Sequence, residues 1–144
     1  DSLIDGARAL SGLPLDALKF HHLQIVRGTR LANQYRAAPA SVSLLDPESY
    51  LDSVIDMLEH LPPNIKVQRL GSEVPPDVLV SPDWGMRLSK FPALLEARLQ
   101  ARDSWQGRLF ADTPITDTPF TQDNTAQGEL RMHSSSVSLT TAIN

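Results

Sequence analysis

Histidines are the residues of this chain that come closest to a metal-binding or acid–base pattern. There are four, of which His21 and His22 are adjacent while His60 and His133 stand apart. Neighbouring residues of a strand point to opposite faces of a sheet, so His21 and His22 cannot ligate one metal ion together. No His-x-x-x-His spacing occurs. We therefore predict no metal site and assign no catalytic residue.

Cysteine is absent from the sequence. This excludes disulfides, thiolate nucleophiles, cysteine zinc sites and cysteine-ligated iron–sulfur clusters within the chain. The nucleophile elbow Gly-x-Ser-x-Gly, the P-loop and the dinucleotide motif Gly-x-Gly-x-x-Gly are missing as well. The sequence therefore offers no motif for a hydrolase, a nucleoside triphosphatase or a dinucleotide-dependent enzyme.

Several other polar and aromatic residues have two interpretations. Arg27 and Arg30 flank Gly28 closely enough to receive an anion, although a solvated charged turn would show the same pattern. Trp84 and Trp105 could stack on a ligand, but packing against a helix is the more frequent use of tryptophan. These interpretations stay open at the level of the sequence.

The elements that must position these residues alternate between helix and strand. Residues 1–13 carry apolar side chains at helical spacing, with Gly12 as a stop signal. Residues 18–26 are rich in β-branched and aromatic side chains and predict a strand. Gly28 follows that strand and would let the backbone approach a bound group closely. A helix, a turn and a strand in this order indicate an α/β fold with a parallel sheet.

A second helix–strand unit follows. Asp46 provides an N-cap and Pro47 a first-turn proline for a helix that we expect to end at His60. Residues 65–70 alternate as a strand, and Ser89 begins another helix. We expect the apolar face of that helix to hold Phe91, Leu94, Leu95 and Leu99.

Composition sets the size and the partners of the protein. The 144 residues suit one domain, and 41% of them are hydrophobic, which is close to a globular average. The net charge of −4 and the lack of a Lys/Arg block argue against duplex DNA as a partner. No run of eighteen apolar residues and no export signal is visible, so we expect no membrane span and a cytoplasmic location.

A resemblance adds to this picture, and it involves ordered segments across most of the first 110 residues. The segments are LKFHHLQIVRGTRLA at 18–32, Tyr35, LPP at 61–63, VQR at 67–69, LVSPDWG at 79–85 and RDSWQGR at 102–108. Together they resemble the C-terminal part of a bacterial radical S-adenosylmethionine (SAM) protein. The resemblance is to the family that carries the radical SAM C-terminal extension and is related to the Elongator catalytic subunit.

The resemblance implies an α/β fold of three parts. Residues 1–45 would be the last βα unit of a partial (β/α)6 radical SAM barrel, and residues 46–110 a small α/β C-terminal extension. Residues 111–144, in which polar residues dominate, would be a disordered tail. In the full-length family, a [4Fe–4S] cluster on a Cys-x3-Cys-x2-Cys loop cleaves SAM to a 5′-deoxyadenosyl radical.

The resemblance also implies site residues. Late barrel strands contact the adenine end of SAM through apolar and backbone groups, which nominates Leu23, Ile25, Val26 and Gly28 as cofactor-binding residues. His22 and Gln24 share a strand face. They would either line the barrel interior, where a substrate meets the radical, or hydrogen-bond within a polar core.

We therefore expect the chain to be the C-terminal part of a radical SAM enzyme. Without cysteines it should bind no cluster and be inactive alone, with the N-terminal barrel as its partner and RNA or a protein as its substrate. The alternative is a non-catalytic module that docks a protein or RNA through Arg98, Arg102 and Arg108. A contiguous basic and aromatic surface patch would favour that alternative.

Truncation makes a structural prediction. If residues 18–26 are the last barrel strand without its preceding neighbour, one sheet edge and part of an apolar face should be exposed. Strands from within the chain on both sides of this segment would contradict the argument.

Overall fold

A computed structural model of the chain describes residues 2–110 and the backbone of residues 136–141. These residues form an α/β fold with four α-helices and two small sheets. The helices are α1 (Ser2–Ser11), α2 (Arg30–Ala37), α3 (Pro47–His60) and α4 (Phe91–Ala101). The strands are β1 (Ala17–His22), β2 (Ile25–Val26), β3 (Lys66–Arg69), β4 (Leu79–Ser81) and β5 (Ser136–Thr141).

The main sheet has the order β3-β1-β5, and both of its pairings are parallel. Parallel neighbours need a crossover connection, and α3 lies in the one that joins β1 to β3. The second sheet pairs β2 with β4 in antiparallel fashion. The predicted alternation of helix and strand is thus confirmed for these elements.

The core lies between the main sheet and the helices α1 and α3. Leu18 and Phe20 of β1 are both 1% exposed, and Tyr50 and Ile55 of α3 are fully buried. α3 begins as its sequence predicts, because an Asp46 carboxylate oxygen accepts a hydrogen bond from the Ser49 amide at 2.9 Å. This core extends across residue 45, where we placed the boundary between the barrel and the extension.

The strand predicted over residues 18–26 is two strands in two sheets. β1 ends at His22, and the chain passes through Leu23 and Gln24 before β2 begins the other sheet. The Arg27 amide donates a hydrogen bond to the Val78 carbonyl at 2.8 Å, which continues the connection beside β4. A composition rich in strand-forming residues cannot show that the backbone changes partners within the run.

The prediction that one edge of β1 is exposed is wrong. β3 lies on one side of β1 and β5 on the other, and the apolar face of β1 is buried. By the criterion stated above, this structural argument for truncation fails.

Strand β5 also corrects the predicted tail. Residues 111–144 were expected to be disordered, but Ser136–Thr141 forms a strand of six residues in register with β1. Alternating Val137 and Leu139 among Ser and Thr is a strand pattern that the polar composition of the tail obscured. Residues 111–135 and 142–144 lie outside the described residues.

One helix face also differs from the prediction. Phe91 and Leu95 of α4 are buried and Leu99 is half-buried, as expected, whereas Leu94 is 38% exposed. Helical spacing groups Leu94 with Leu95, but only one of two adjacent residues can face the core fully.

Candidate functional site

A cleft of about 270 Å³ opens where β1 ends. We call it the β1 cleft and define it by its lining residues. β1 and its continuation contribute two of them, the segment after β3 three, and β4 with the segment after it the rest. They are His22, Gln24, Glu73, Val74, Pro76, Leu79, Pro82, Asp83, Trp84, Met86, Arg87 and Leu88. Ligands of open α/β folds collect at the carboxyl ends of parallel strands, which is the position of this cleft.

His22 is the buried polar side chain of the β1 cleft. It is 6% exposed, its ring stacks on Trp84 with 4.0 Å between centroids, and Tyr50 meets it edge-on at 5.6 Å. Its Nδ1 atom is buried and has no hydrogen-bond partner among the described residues. Most buried polar atoms are hydrogen-bonded, so an unsatisfied ring nitrogen beside a cleft makes His22 a candidate ligand-binding residue.

The electrostatic state of His22 follows from its surroundings. The pKa of the imidazole is lowered from 6.5 to about 4, chiefly by burial and also by the nearby His21, while Glu73 acts in the opposite direction. The ring is therefore neutral at pH 7. One nitrogen of a neutral imidazole donates and the other accepts, so this ring can hydrogen-bond a polar ligand without adding charge to the cleft.

Trp84 holds His22 in place. His22 covers one side of the indole, and Phe91 stacks on it at 5.3 Å with an interplanar angle of 14°. The indole Nε1–H donates to the Leu45 carbonyl at 3.0 Å. Ligand stacking on Trp84 is thus replaced by packing, which is the second of the two interpretations above. Trp105 is 57% exposed and lies under the Arg108 guanidinium, 5.9 Å from the ring centroid.

The rim of the β1 cleft consists of polar side chains that fix its loops. Glu73 accepts a hydrogen bond from the Leu88 amide at 2.8 Å, and Asp83 accepts one from the Gly85 amide at 2.9 Å. Gln24 contacts the Ser72 hydroxyl at 3.5 Å. These contacts join the segments after β3 and β4 around His22.

Gly71 makes the close packing at this end of the sheet possible. A Cβ atom there would lie 2.9 Å from a Leu88 methyl group and 3.4 Å from Nδ1 of His22. No group of three or more His, Cys, Asp or Glu side chains in the described part of the chain could hold a metal ion.

Comparison with known proteins decides the family. The sequence model of the radical SAM C-terminal domain matches residues 15–101. The chain belongs to the radical SAM C-terminal domain family. The match spans the β1 cleft and runs through residue 45, so it includes both segments that we separated there.

Two curated relatives are similar to this radical SAM C-terminal domain. The uncharacterized protein YtqA of Bacillus subtilis is 27% identical over 110 residues, which are 76% of this chain and 34% of YtqA. The uncharacterized protein MJ0486 of Methanocaldococcus jannaschii is 34% identical over 109 residues, which are 75% of this chain and 33% of MJ0486. The chain thus spans about one third of the length of these relatives.

The four predicted cofactor residues of the domain lie beside the β1 cleft but do not line it. Leu23 and Val26 are half-buried, and Ile25 is fully buried. Gly28 is exposed with φ +83°, and a Cβ there would meet no described atom, so the turn conformation is what requires glycine. His22 and Gln24, by contrast, both line the cleft, although Gln24 follows the end of β1 and does not share a strand face with His22.

The arginines of the alternative function are engaged within the domain. Arg98 binds Asp52 through Nε and Nη2, both at 2.6 Å, and also binds Glu48. Arg102 binds Asp56 at 2.6 Å, and Arg108 lies 3.3 Å from Glu59. The carboxylates of α3 thus neutralise the basic patch on which the interaction module depended. In the described part of the chain, no helix is both long and apolar enough to cross a membrane.

The roles of Trp84 and Gly71 in this site are not predicted from the sequence. The distance along the chain between His22 and either residue conceals the contact. The segment 79–85, which carries Trp84, was already part of the family resemblance, and that was the available signal.

Proposed function

We propose that this chain is the C-terminal part of a radical SAM enzyme that cleaves SAM reductively to a 5′-deoxyadenosyl radical. The observation that carries the proposal is the family match over residues 15–101. The threefold greater length of the two relatives supports it, because a cluster-binding barrel needs far more chain than this. Residues 1–45 would then close the barrel, residues 46–110 would form the extension, and the enzyme would be cytoplasmic.

The residues of this chain do not fit the cluster itself. Cysteine thiolates hold a [4Fe–4S] cluster, and the sequence contains no cysteine. The proposal therefore places the cluster on other residues of a longer protein, and the chain alone is expected to be inactive. This chain would supply residues that border the substrate and cofactor site.

The β1 cleft contains the polar side chains among these residues. Neutral His22 and Gln24 would hydrogen-bond a polar group of the substrate, and Trp84 and Tyr50 hold the imidazole so that it keeps one orientation. Leu23, Ile25, Val26 and Gly28 would contact the adenine end of SAM from the adjoining turn. The proposal thus separates a substrate side, at the cleft, from a cofactor side, at the β2 turn.

Reductive SAM cleavage by the full-length parent tests the function. The protein is loaded with iron and sulfide under anaerobic conditions, its cluster is verified by absorbance, and 5′-deoxyadenosine is measured after dithionite is added. We expect product from the parent and none from this chain alone. Parallel reactions with and without total cellular RNA test RNA as the substrate. A cluster-loaded parent that forms no 5′-deoxyadenosine under any of these conditions would overturn the proposal.

A Gly28→Val variant of the parent tests the cofactor side. A β-branched residue disfavours φ +83°, so the turn should shift and the KM for SAM should rise. The matched control is Gly28→Asn. Asparagine tolerates a positive φ better than valine does, so this control should retain a KM near that of the unmodified protein.

A further inference from the structure

The two edges of β1 are occupied in different ways. β3 pairs with β1 at three positions, with a shift of register between Leu18 and Lys19. β5 pairs with all six residues of β1 without interruption, from Ala17 opposite Ser136 to His22 opposite Thr141. The tail segment is therefore the more continuous neighbour of the central strand.

β5 is an edge strand of the described sheet and is poor in apolar residues. β1, the inner strand, is buried along most of its length, as is usual in a parallel sheet. Ser136–Thr141, by contrast, reads SVSLTT and has two apolar residues. A segment of this kind contributes a backbone ladder and little apolar surface, so its docking should be weak.

We propose that Ser136–Thr141 is an exchangeable strand. It pairs with an edge of β1 that a neighbouring barrel strand would otherwise occupy. The docked tail and a closed barrel then exclude each other. The exchange of the strand rests on the sheet alone, whereas the competing barrel strand rests on the proposed function. Residues 111–135 join the tail strand to the domain, so a released strand stays at high local concentration and can dock again.

Exchange of this strand would act on the β1 cleft. Thr141 is the register partner of His22, so the tail ladder reaches the residue whose side chain lines the cleft. Release of β5 frees one edge of the His21–His22 backbone. In a longer protein, a barrel strand at the same edge would fix this end of β1 in its place.

Native-state hydrogen exchange of the complete chain is the first test. We expect the protected amides of β5 to exchange at least about 100-fold faster than those of Leu51–Leu58 in α3. Their exchange rate should not change at low urea concentrations, because β5 opens locally without global unfolding. Exchange of both segments at the same rate through global unfolding would overturn the proposal. Absence of any protection in β5 would also overturn it, because the edge would then be vacant.

A shortened chain is the second test. A chain that ends at Ser135 should lose protection at alternate amides of β1, whereas a control that ends at Thr141 should keep it. Protection of α3 verifies that both fold. An SVSLTT peptide should restore protection of β1 and a scrambled peptide should not. Unchanged β1 amides in the chain that ends at Ser135 would contradict the proposal. If that chain fails to fold, the exchange data on the complete chain decide.

The full-length parent separates this proposal from the proposed function. We expect residues 136–141 to lose their protection there while 5′-deoxyadenosine is formed. A protected tail in a SAM-cleaving parent would refute the mutual exclusion and leave the proposed function standing. A parent without SAM cleavage would refute the proposed function and leave the exchange measured on this chain intact.

Discussion

The surface where arginines in and after α4 meet the carboxylates of α3, which we call the α3–α4 face, borders the same core as the β1 cleft. The two regions differ in whether their polar side chains have partners. On the α3–α4 face, Arg98 and Arg102 are bound by carboxylates of α3 at hydrogen-bond distances. In the β1 cleft, a buried imidazole keeps one ring nitrogen without a partner among the described residues. Paired charges join two helices and leave nothing to offer a ligand, whereas the imidazole that lines the cleft has a ring nitrogen that no described residue satisfies. The difference separates scaffold from candidate site.

The largest effect is expected in the core that both regions share. Ile55→Ala removes a fully buried side chain between α3 and the sheet and should lower the free energy of unfolding by about 2–5 kcal/mol. Leu94→Ala, at an exposed position of α4, should change it by less than about 0.5 kcal/mol. Urea unfolding followed by circular dichroism measures both. Equal losses would show that the helix pair is not packed as described.

The next effect is a pH dependence that belongs to the cleft. The pKa of His22 is about 4 in the folded chain and 6.5 when unfolded, so the unfolded chain binds this proton first as the pH falls. The stability linked to neutral His22 is therefore complete above pH 6.5 and is lost between pH 6.5 and 4. His22→Gln should remove this part of the slope, and His21→Gln should retain most of it, because burial is the main cause of the shift. Identical slopes in the two variants would contradict the assignment.

A smaller effect is expected at the turn beside the cleft. The Thr29 hydroxyl accepts a hydrogen bond from the Ala32 amide at 3.1 Å and caps α2. Thr29→Ala should lower the free energy of unfolding by about 1 kcal/mol. Thr29→Ser keeps a hydroxyl at this position and should therefore lose only a small part of that stability. Chemical unfolding at pH 7 measures this difference. A loss of equal size in both variants would show that the hydroxyl does not cap the helix.

The smallest effect is expected on the α3–α4 face, because partly exposed ion pairs add little stability. Hydrogen bonds from the Arg98 guanidinium lower the pKa of Asp52 below its ordinary value of 3.8. The stability from this pair is therefore present above pH 3.8 and is lost as the pH falls further. Asp52→Asn should weaken the acid dependence below pH 4 and leave the interval from pH 6.5 to 4 unchanged. Unfolding curves across both intervals separate this face from the cleft.

Local signals predicted much of the fold. Asp46 and Pro47 mark the start of α3, and the spacing of its apolar residues identifies the buried face, because capping and periodicity act within one helix. The division of residues 18–26 into β1 and β2, and the docking of β5, depend on pairings with distant segments. No pattern within those residues encodes such partners.

The site shows the same limit. The sequence groups His22 with Gln24 on one predicted strand, and both line the cleft, although Gln24 lies beyond the end of β1. The stacking of Trp84 on His22 and the space left by Gly71 depend on loops far along the chain. In the sequence, Arg98 and Arg102 suggest a basic surface, but in the fold carboxylates of α3 bind both.

The claim that the carboxyl end of β1 holds a buried neutral imidazole can be tested by nitrogen-15 NMR of the His22 ring across pH 3–8. We expect both ring nitrogens to report a neutral ring at pH 7 and to titrate near pH 4. A ring that titrates at pH 6.5 or above would contradict the account, because His22 would then be solvated or paired with an acid, and the β1 cleft would lose the feature that distinguishes it.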